Sequence, residues 1–214
     1  MDYQKARHRM VETQLKARGI TDERVLQAFG KIARHEFVDP GLEAQAYSDR
    51  ALPIGHGQTI SQPYMVAIMT QSLKPQPQDR VLEVGTGSGY QGAILSVLVR
   101  SVYTIERLEP LARRSGEIFT REGLTNIVQQ IGDGSIGWAL HAPYDGIIVT
   151  AGSPRVPPQL LDQLADGGRL VIPTGSSSSQ VLKIVTREGN SFRTETSIPC
   201  IFVPLLGKEG WNSD

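Results

Sequence analysis

Apolar residues change their spacing along the chain near residue 80. Before it, the pattern is helical. Residues 2–18 carry apolar positions at Met10, Val11 and Leu15 among charged neighbours and end at Gly19, a helix-terminating glycine. Thr21 stands where it can cap a second helix, with Asp22 and Glu23 in the first turn and Val25, Leu26 and Phe29 on one face. A third helix is predicted from Tyr64 to Leu73, stopped by Lys74-Pro75. After residue 80, short β-branched runs (RVLEV, SVYTIE, NIVQQI, DGIIVT, GRLVIP) alternate with the helical stretches YQGAILSVLV, PLARRSGEIFTREG and VPPQLLDQLADG. That alternation predicts a parallel sheet built from right-handed crossovers. The ending differs: QVLKIVTRE, the turn signal Gly189-Asn190 and SFRTETSIPCIFVPLL predict an antiparallel hairpin. TGSSSSQ reads as a flexible connection.

The 214 residues fit one domain. Its expected parts are an N-terminal helical region (1–78), a core (79–175) and a C-terminal hairpin (176–214). Lys+Arg and Asp+Glu both number 22, so the formal charge is zero. Phosphate neutralisation drives non-specific nucleic-acid binding, so this balance predicts no nucleic-acid partner and no polybasic membrane contact. Cys200 is the only cysteine, which excludes an internal disulfide and a cysteine metal cluster. The charged N-terminus has no signal-peptide core, and no apolar run approaches the ~18 residues of a membrane span. A cytoplasmic monomer is expected.

Chemistry first shows in LEVGTGSGYQG, between the first strand of the core and a helix. Glycines there let backbone approach a ligand closely. Gly87-x-Gly89-x-x-Gly92 matches the dinucleotide fingerprint, which leaves an NAD-dependent oxidoreductase open. Counted from the strand, however, the pattern is E-x-G-x-G-x-G, which resembles S-adenosylmethionine loops. Glu106 ends the next strand, about 20 residues on, where an acid can accept from ribose hydroxyls. Asp133, in IGDGS, follows the third strand. Alone, Glu106 reads as a solvated strand-end acid and Asp133 as a turn former. Together at successive strand ends they favour one ligand, because open α/β sheets bind at that edge. Glu83 is either a further contact to the ligand's amine or a satisfied strand acid.

GHGQTISQP, residues 55–63, lies outside the predicted sheet. With VGTGSGYQ, YDGIIVTAG and FVPLLGKEGW it resembles the protein-L-isoaspartate O-methyltransferase family across essentially the whole chain. The resemblance implies a Rossmann-like methyltransferase fold: a mostly parallel, doubly wound sheet with a C-terminal antiparallel hairpin and N-terminal helices. It implies methyl transfer from S-adenosyl-L-methionine to the free carboxylate of L-isoaspartyl residues in damaged proteins and peptides, leaving S-adenosyl-L-homocysteine, with repair through a succinimide. Carried over by position, Ser61 is the active-site hydroxyl and Gln58, Thr59 and Ile60 form its loop beside the cofactor. Gly85, Gly87, Ser88 and Gly89 cradle the cofactor, Glu106 takes the ribose, and Asp133 and Gly134 reach the adenine. The strand Ile201–Leu205 presents backbone to the substrate. The chain departs from some relatives at Tyr64, where they have His, and from animal members at Leu206-Gly207, where they have Thr. A methyltransferase of another substrate shares residues 80–175 and must explain QTISQP as structure alone. Ser61 in that case is only a helix cap before Pro63, and His56 a shape residue between glycines.

Overall fold

A computed structural model describes residues 2–212. Helix α1 (Tyr3–Met10) runs into a π-turn over Val11–Leu15 and a 3₁₀ turn that stops at Gly19, in the left-handed region at φ +90°. The predicted helix over 2–18 is therefore not uniform. Met10 and Leu15, five residues apart, are both fully buried. The i→i+5 turn brings them to one face, where a regular α-helix would rotate them apart. Helix α2 (Glu23–Lys31) is capped by Asp22, whose carboxylate accepts the amides of Arg24 and Val25. Thr21 is not the cap; its amide donates to Gln71 Oε1.

The N-terminal region is not all helix. Strands β1 (Leu52–Pro53) and β2 (Thr59–Ile60) pair antiparallel across a turn in which Gly55, His56 and Gly57 all have positive φ. The two glycines supply this conformation without strain, and His56 tolerates it between them. Helix α3 (Pro63–Leu73) follows, ended by Lys74 in the left-handed region.

Strands β3 (Arg80–Val84), β4 (Ser101–Glu106), β5 (Ile127–Ile131), β6 (Tyr144–Val149) and β7 (Leu164–Gly175) are parallel; β8 (Gln180–Glu188) and β9 (Ser191–Cys200) complete the sheet as antiparallel neighbours. The order is β5-β4-β3-β6-β7-β8-β9. Helices α4 (Tyr90–Ser96), α5 (Glu109–Arg121) and α6 (Pro158–Asp162) connect the parallel strands. The last of these is shorter than the predicted 156–167 stretch, because Leu164 already pairs with Tyr144 as strand. The serine-rich connection is a tight turn in which the Ser176 amide donates to the Ser179 carbonyl.

Both faces of the sheet are covered, so its central strands read as unbroken apolar runs. Alternate residues serve opposite faces. Val81, Val102, Ile148 and Val171 join the cluster that includes Met10, Phe29, Val66 and Tyr90, while Leu82, Val84, Ile147 and Leu170 join the one around Leu160 and Leu164. Among the described residues no helix is long and apolar enough to cross a membrane.

Candidate active site

Strand order reverses at β3, which lies between β4 and β6. Crevices of doubly wound sheets form at that point, beyond the strand C-termini. Here the crevice is a cleft of about 840 Å³, open solvent at its mouth included, walled by the ends of β3, β4 and β6, the β2–α3 loop and the segment 203–206.

Most of the expected residues meet there. Gln58, Thr59, Ile60 and Ser61 form one wall; Gly85, Gly87 and Ser88 form the floor, with Glu106 and Gly134 beside them. Gly85 has φ +97°, and a Cβ there would lie 2.5 Å from Thr150 Oγ1, so the backbone is pressed against the end of β6. Glu106 is buried, and its two oxygens accept the amides of Gly87 (2.8 Å) and Leu108 (2.9 Å). The acid thus joins the glycine loop to the loop after β4, and its remaining lone pairs are available to a ligand in the cleft.

Two of the expected residues stand outside the lining of the cleft. Gly89 does not line the cleft. It packs under α5, where a Cβ would meet the Phe119 ring at 2.7 Å, and its φ of +86° starts α4. Asp133 does not line it either. Its Oδ1 accepts the amide and hydroxyl of Ser135, and its Oδ2 accepts the amide of Lys208 from the C-terminal segment. Burial pushes this carboxyl up, but those donors outweigh it and hold the carboxyl below its usual range. Its two oxygens hold the turn and the tail together.

The segment 201–205 is corrected. Strand β9 ends at Cys200, and the Phe202 amide donates to Gln180 Oε1 rather than to a ladder. Gly152 then exchanges hydrogen bonds with Val203 and Leu205, both 2.8 Å. Pro199 and Pro204 cannot donate to a sheet, so the chain leaves β9 and crosses to the mouth of β6.

Glu83 lies on the far side of the glycine loop, facing α4. It is fully buried, accepts from the Thr104 hydroxyl at 2.6 Å, and leaves Oε1 without a partner. Burial pushes its carboxyl up to about 8, against the pull of Thr104 and with a further push from Glu106. It touches no part of the cleft. Tyr64 is also elsewhere, with the Arg18 guanidinium 3.6 Å above its ring. Leu206 does line the cleft.

Ser61 stands at a second boundary. An outer groove runs along Asp49, Arg50, Met65, Cys200, Ile201 and Phe202, and Thr59, Ser61, Thr150 and Val203 line both groove and cleft. These four residues are the wall between the two spaces. Gln62 takes the N-cap position of α3 with no side-chain cap bond and Pro63 at the first turn, so Ser61 is not the helix cap. No histidine lines either space; His56 is exposed on the glycine turn. Burial pushes the Cys200 thiol up to about 11, so it stays protonated.

Thr86, Tyr90, Leu108 and Thr150 also line the cleft and were not expected. Leu108 and Thr150 follow the ends of β4 and β6, and the strand-edge rule that singled out Glu106 reaches them too. Tyr90 carries no such signal in the sequence.

The site suits a nucleoside-bearing sulfonium cofactor: a floor of glycine backbone, a buried carboxylate at the end of β4, and apolar Ile60, Ile105 and Leu108 along the walls. Comparison with known proteins agrees. Residues 5–210 match the family described as Protein-L-isoaspartate(D-aspartate) O-methyltransferase. The chain is 53% identical to the protein-L-isoaspartate O-methyltransferase of Geobacter metallireducens over the full length of both, and 53% identical to that of Petrotoga mobilis over 99% of this chain and all of the relative. A solved protein-L-isoaspartate O-methyltransferase superposes with a TM-score of 0.87 at 27% identity, covering 95% of this chain and 67% of its own. A beta-aspartate methyltransferase from Plasmodium falciparum, in complex with S-adenosyl-L-homocysteine, gives 0.79 at 27% identity, covering 94% and 98%.

Proposed function

The chain belongs to the protein-L-isoaspartate(D-aspartate) O-methyltransferase family, and from that premise we propose how its own residues carry the reaction. The enzyme methylates the free carboxylate of L-isoaspartyl residues in damaged proteins, using S-adenosyl-L-methionine, and so opens their repair through a succinimide. An oxidoreductase reading of the glycine loop falls with that membership.

The observation that carries the proposal is the shared wall. Bound in the cleft, S-adenosyl-L-methionine supplies the electrophilic methyl group. Glu106 accepts from its ribose, while Gly85, Gly87 and Ser88 offer backbone close enough to hold its amino-acid end. Gln58, Thr59 and Ile60 close over it, and Gly134 gives backbone room for the adenine. The damaged peptide lies in the outer groove, and Ser61, with an uncommitted hydroxyl on the wall, donates to the isoaspartyl carboxylate and turns one oxygen toward the methyl. An acid of unperturbed pKa about 4 is ionised at neutral pH, so no general base is required. The histidine-free lining fits that chemistry. Positioning and exclusion of water do the rest.

The unit of function in this proposal is the whole chain, 1–214, as one domain, because a single apolar cluster runs from Met10 on α1 to Leu182 on β8. A neutral net charge supports a protein substrate without nucleic acid or membrane, and a lone cysteine fits a reducing compartment.

The test is methyl transfer to an isoaspartyl peptide beside its normal aspartyl twin. The wild type should prefer the first by about 100-fold or more, because a carboxylate misplaced by ~1 Å loses that much. Ser61→Ala should lower kcat on the isoaspartyl peptide by about tenfold or more, with S-adenosyl-L-homocysteine affinity nearly intact. Wild-type turnover in the mutant would leave Ser61 a lining residue with no part in orientation.

A further inference from the structure

Arg34 is the largest fully buried side chain that the reaction as described leaves unused, and it sits directly behind the shared wall. Its Nε donates to the Ala46 carbonyl at 2.7 Å and its Nη2 to the Ser61 carbonyl at 2.8 Å. The guanidinium lies 4.8 Å from the centre of the Tyr90 ring, which lines the cleft. Nη1 is buried with no partner. Among the described residues no carboxylate pairs with Arg34; Asp49, an acid whose charge reaches it, is already paired with Arg18 and bonded to Gln62.

A buried cation without a counterion is costly. Burial does weaken its hold on the proton, pulling Arg34 down to about 10, yet it remains fully charged at neutral pH. Two carbonyls and an aromatic face offset part of that cost, but none of them carries a full negative charge. The fork is anchored to the backbone of Ser61, so the charge is fixed relative to the residue that meets the substrate.

Resting on the isoaspartyl reading above, we propose that Arg34 is a positioning residue whose fixed charge selects an ionised carboxylate as the methyl acceptor. The substrate's carboxylate acts as the missing counterion, through a low-dielectric layer rather than by direct contact. Arg34 also holds the Ser61 backbone so that its hydroxyl faces the groove. The neutral α-carboxamide of the same isomerised linkage would fit the groove by shape and gain nothing from the charge. The inferred role is therefore specificity for charge, beyond the shape that separates isoaspartyl from aspartyl.

The experiment is calorimetry on the full chain saturated with S-adenosyl-L-homocysteine, titrated with an isoaspartyl peptide and with its α-carboxamide twin. The quantity read is the ratio of the two affinities. Wild type should favour the carboxylate, and Arg34→Met, which keeps an unbranched stem but no charge, should shrink that ratio by about tenfold, the scale of one charge pair at partly screened range. Arg34→Lys, which keeps the charge, should retain most of the ratio. A merely structural role would weaken both peptides equally and leave the ratio unmoved. An unchanged ratio in Arg34→Met that still binds S-adenosyl-L-homocysteine overturns the proposal while leaving the isoaspartyl reading standing. A wild type that binds neither peptide overturns both. Should Arg34→Met not fold, Arg34→Lys decides: loss of the ratio despite the retained charge rejects charge selection, and its retention supports it.

Discussion

Glu106 uses each carboxylate oxygen for a different loop, Oε2 for the Gly87 amide and Oε1 for the Leu108 amide. A glutamine in the same place has one oxygen and one NH₂, so one of those amides would face another donor. Glu106→Gln should therefore be nearly as damaging as Glu106→Ala, although it matches the native shape. Losing a charge-assisted acceptor costs about 1.5–3 kcal/mol, or at least about tenfold in affinity. Titration with S-adenosyl-L-homocysteine checks this, and wild-type affinity in Glu106→Gln would mean that shape, not charge, holds the cofactor. At this scale the sequence was a good guide to position and a weaker one to direction. Glu106 was legible because strand ends are legible. Asp133 follows the same rule, and its oxygens also accept from Ser135 and from Lys208, 75 residues further on, a contact that no local pattern announces.

Elements explain why some glycines are fixed and others merely convenient. Gly85 and Gly57 both have positive φ, +97° and +69°, so alanine pays the left-handed strain of about 1–2 kcal/mol at either. Around Gly57 a new Cβ meets nothing within 4 Å, whereas at Gly85 it would lie 2.5 Å from the Thr150 hydroxyl. That hydroxyl donates to the Gly85 carbonyl at 2.6 Å and ties the loop to β6. Gly85→Ala should accordingly lose clearly more stability than Gly57→Ala in chemical denaturation, by roughly 1–3 kcal/mol beyond the shared strain. Equal losses would show that the loop can move away from β6 at no cost. Periodicity made the parallel strands, α3 and the β8–β9 hairpin legible, since burial enforces those patterns along the chain. It missed the π-turn after α1, the cap at Asp22 and the departure of the chain after Cys200. Each of these is decided by what packs against the element: the core under Met10 and Leu15, Gln71 on the Thr21 amide, Gln180 on the Phe202 amide.

Glu83 connects one carboxyl to the stability of the whole molecule. It occupies the β3 position that faces α4, between the apolar residues of that face, and its carboxyl is pushed up to about 8 chiefly by burial. In the unfolded chain the same group titrates near 4.3. Below that value both states hold the proton and Glu83 adds no pH dependence. Between about pH 4 and 8 the folded state keeps a proton that the unfolded chain releases, so stability from this group falls as pH rises, and it levels off above about 8. The sign is opposite to that of a salt-bridged acid. Removing the carboxyl should remove the slope. Glu83→Gln keeps the size and can still accept from the Thr104 hydroxyl, so it should gain on the wild type as pH climbs from 5 to 8, by an amount on the order of a few kcal/mol. Urea denaturation of both proteins across that range measures the difference directly. Parallel curves for the two proteins would mean that Glu83 is ionised in the folded state, with water or an ion at the unpartnered Oε1. A difference that widens with pH would instead mark Glu83 as a neutral acid buried under the glycine loop.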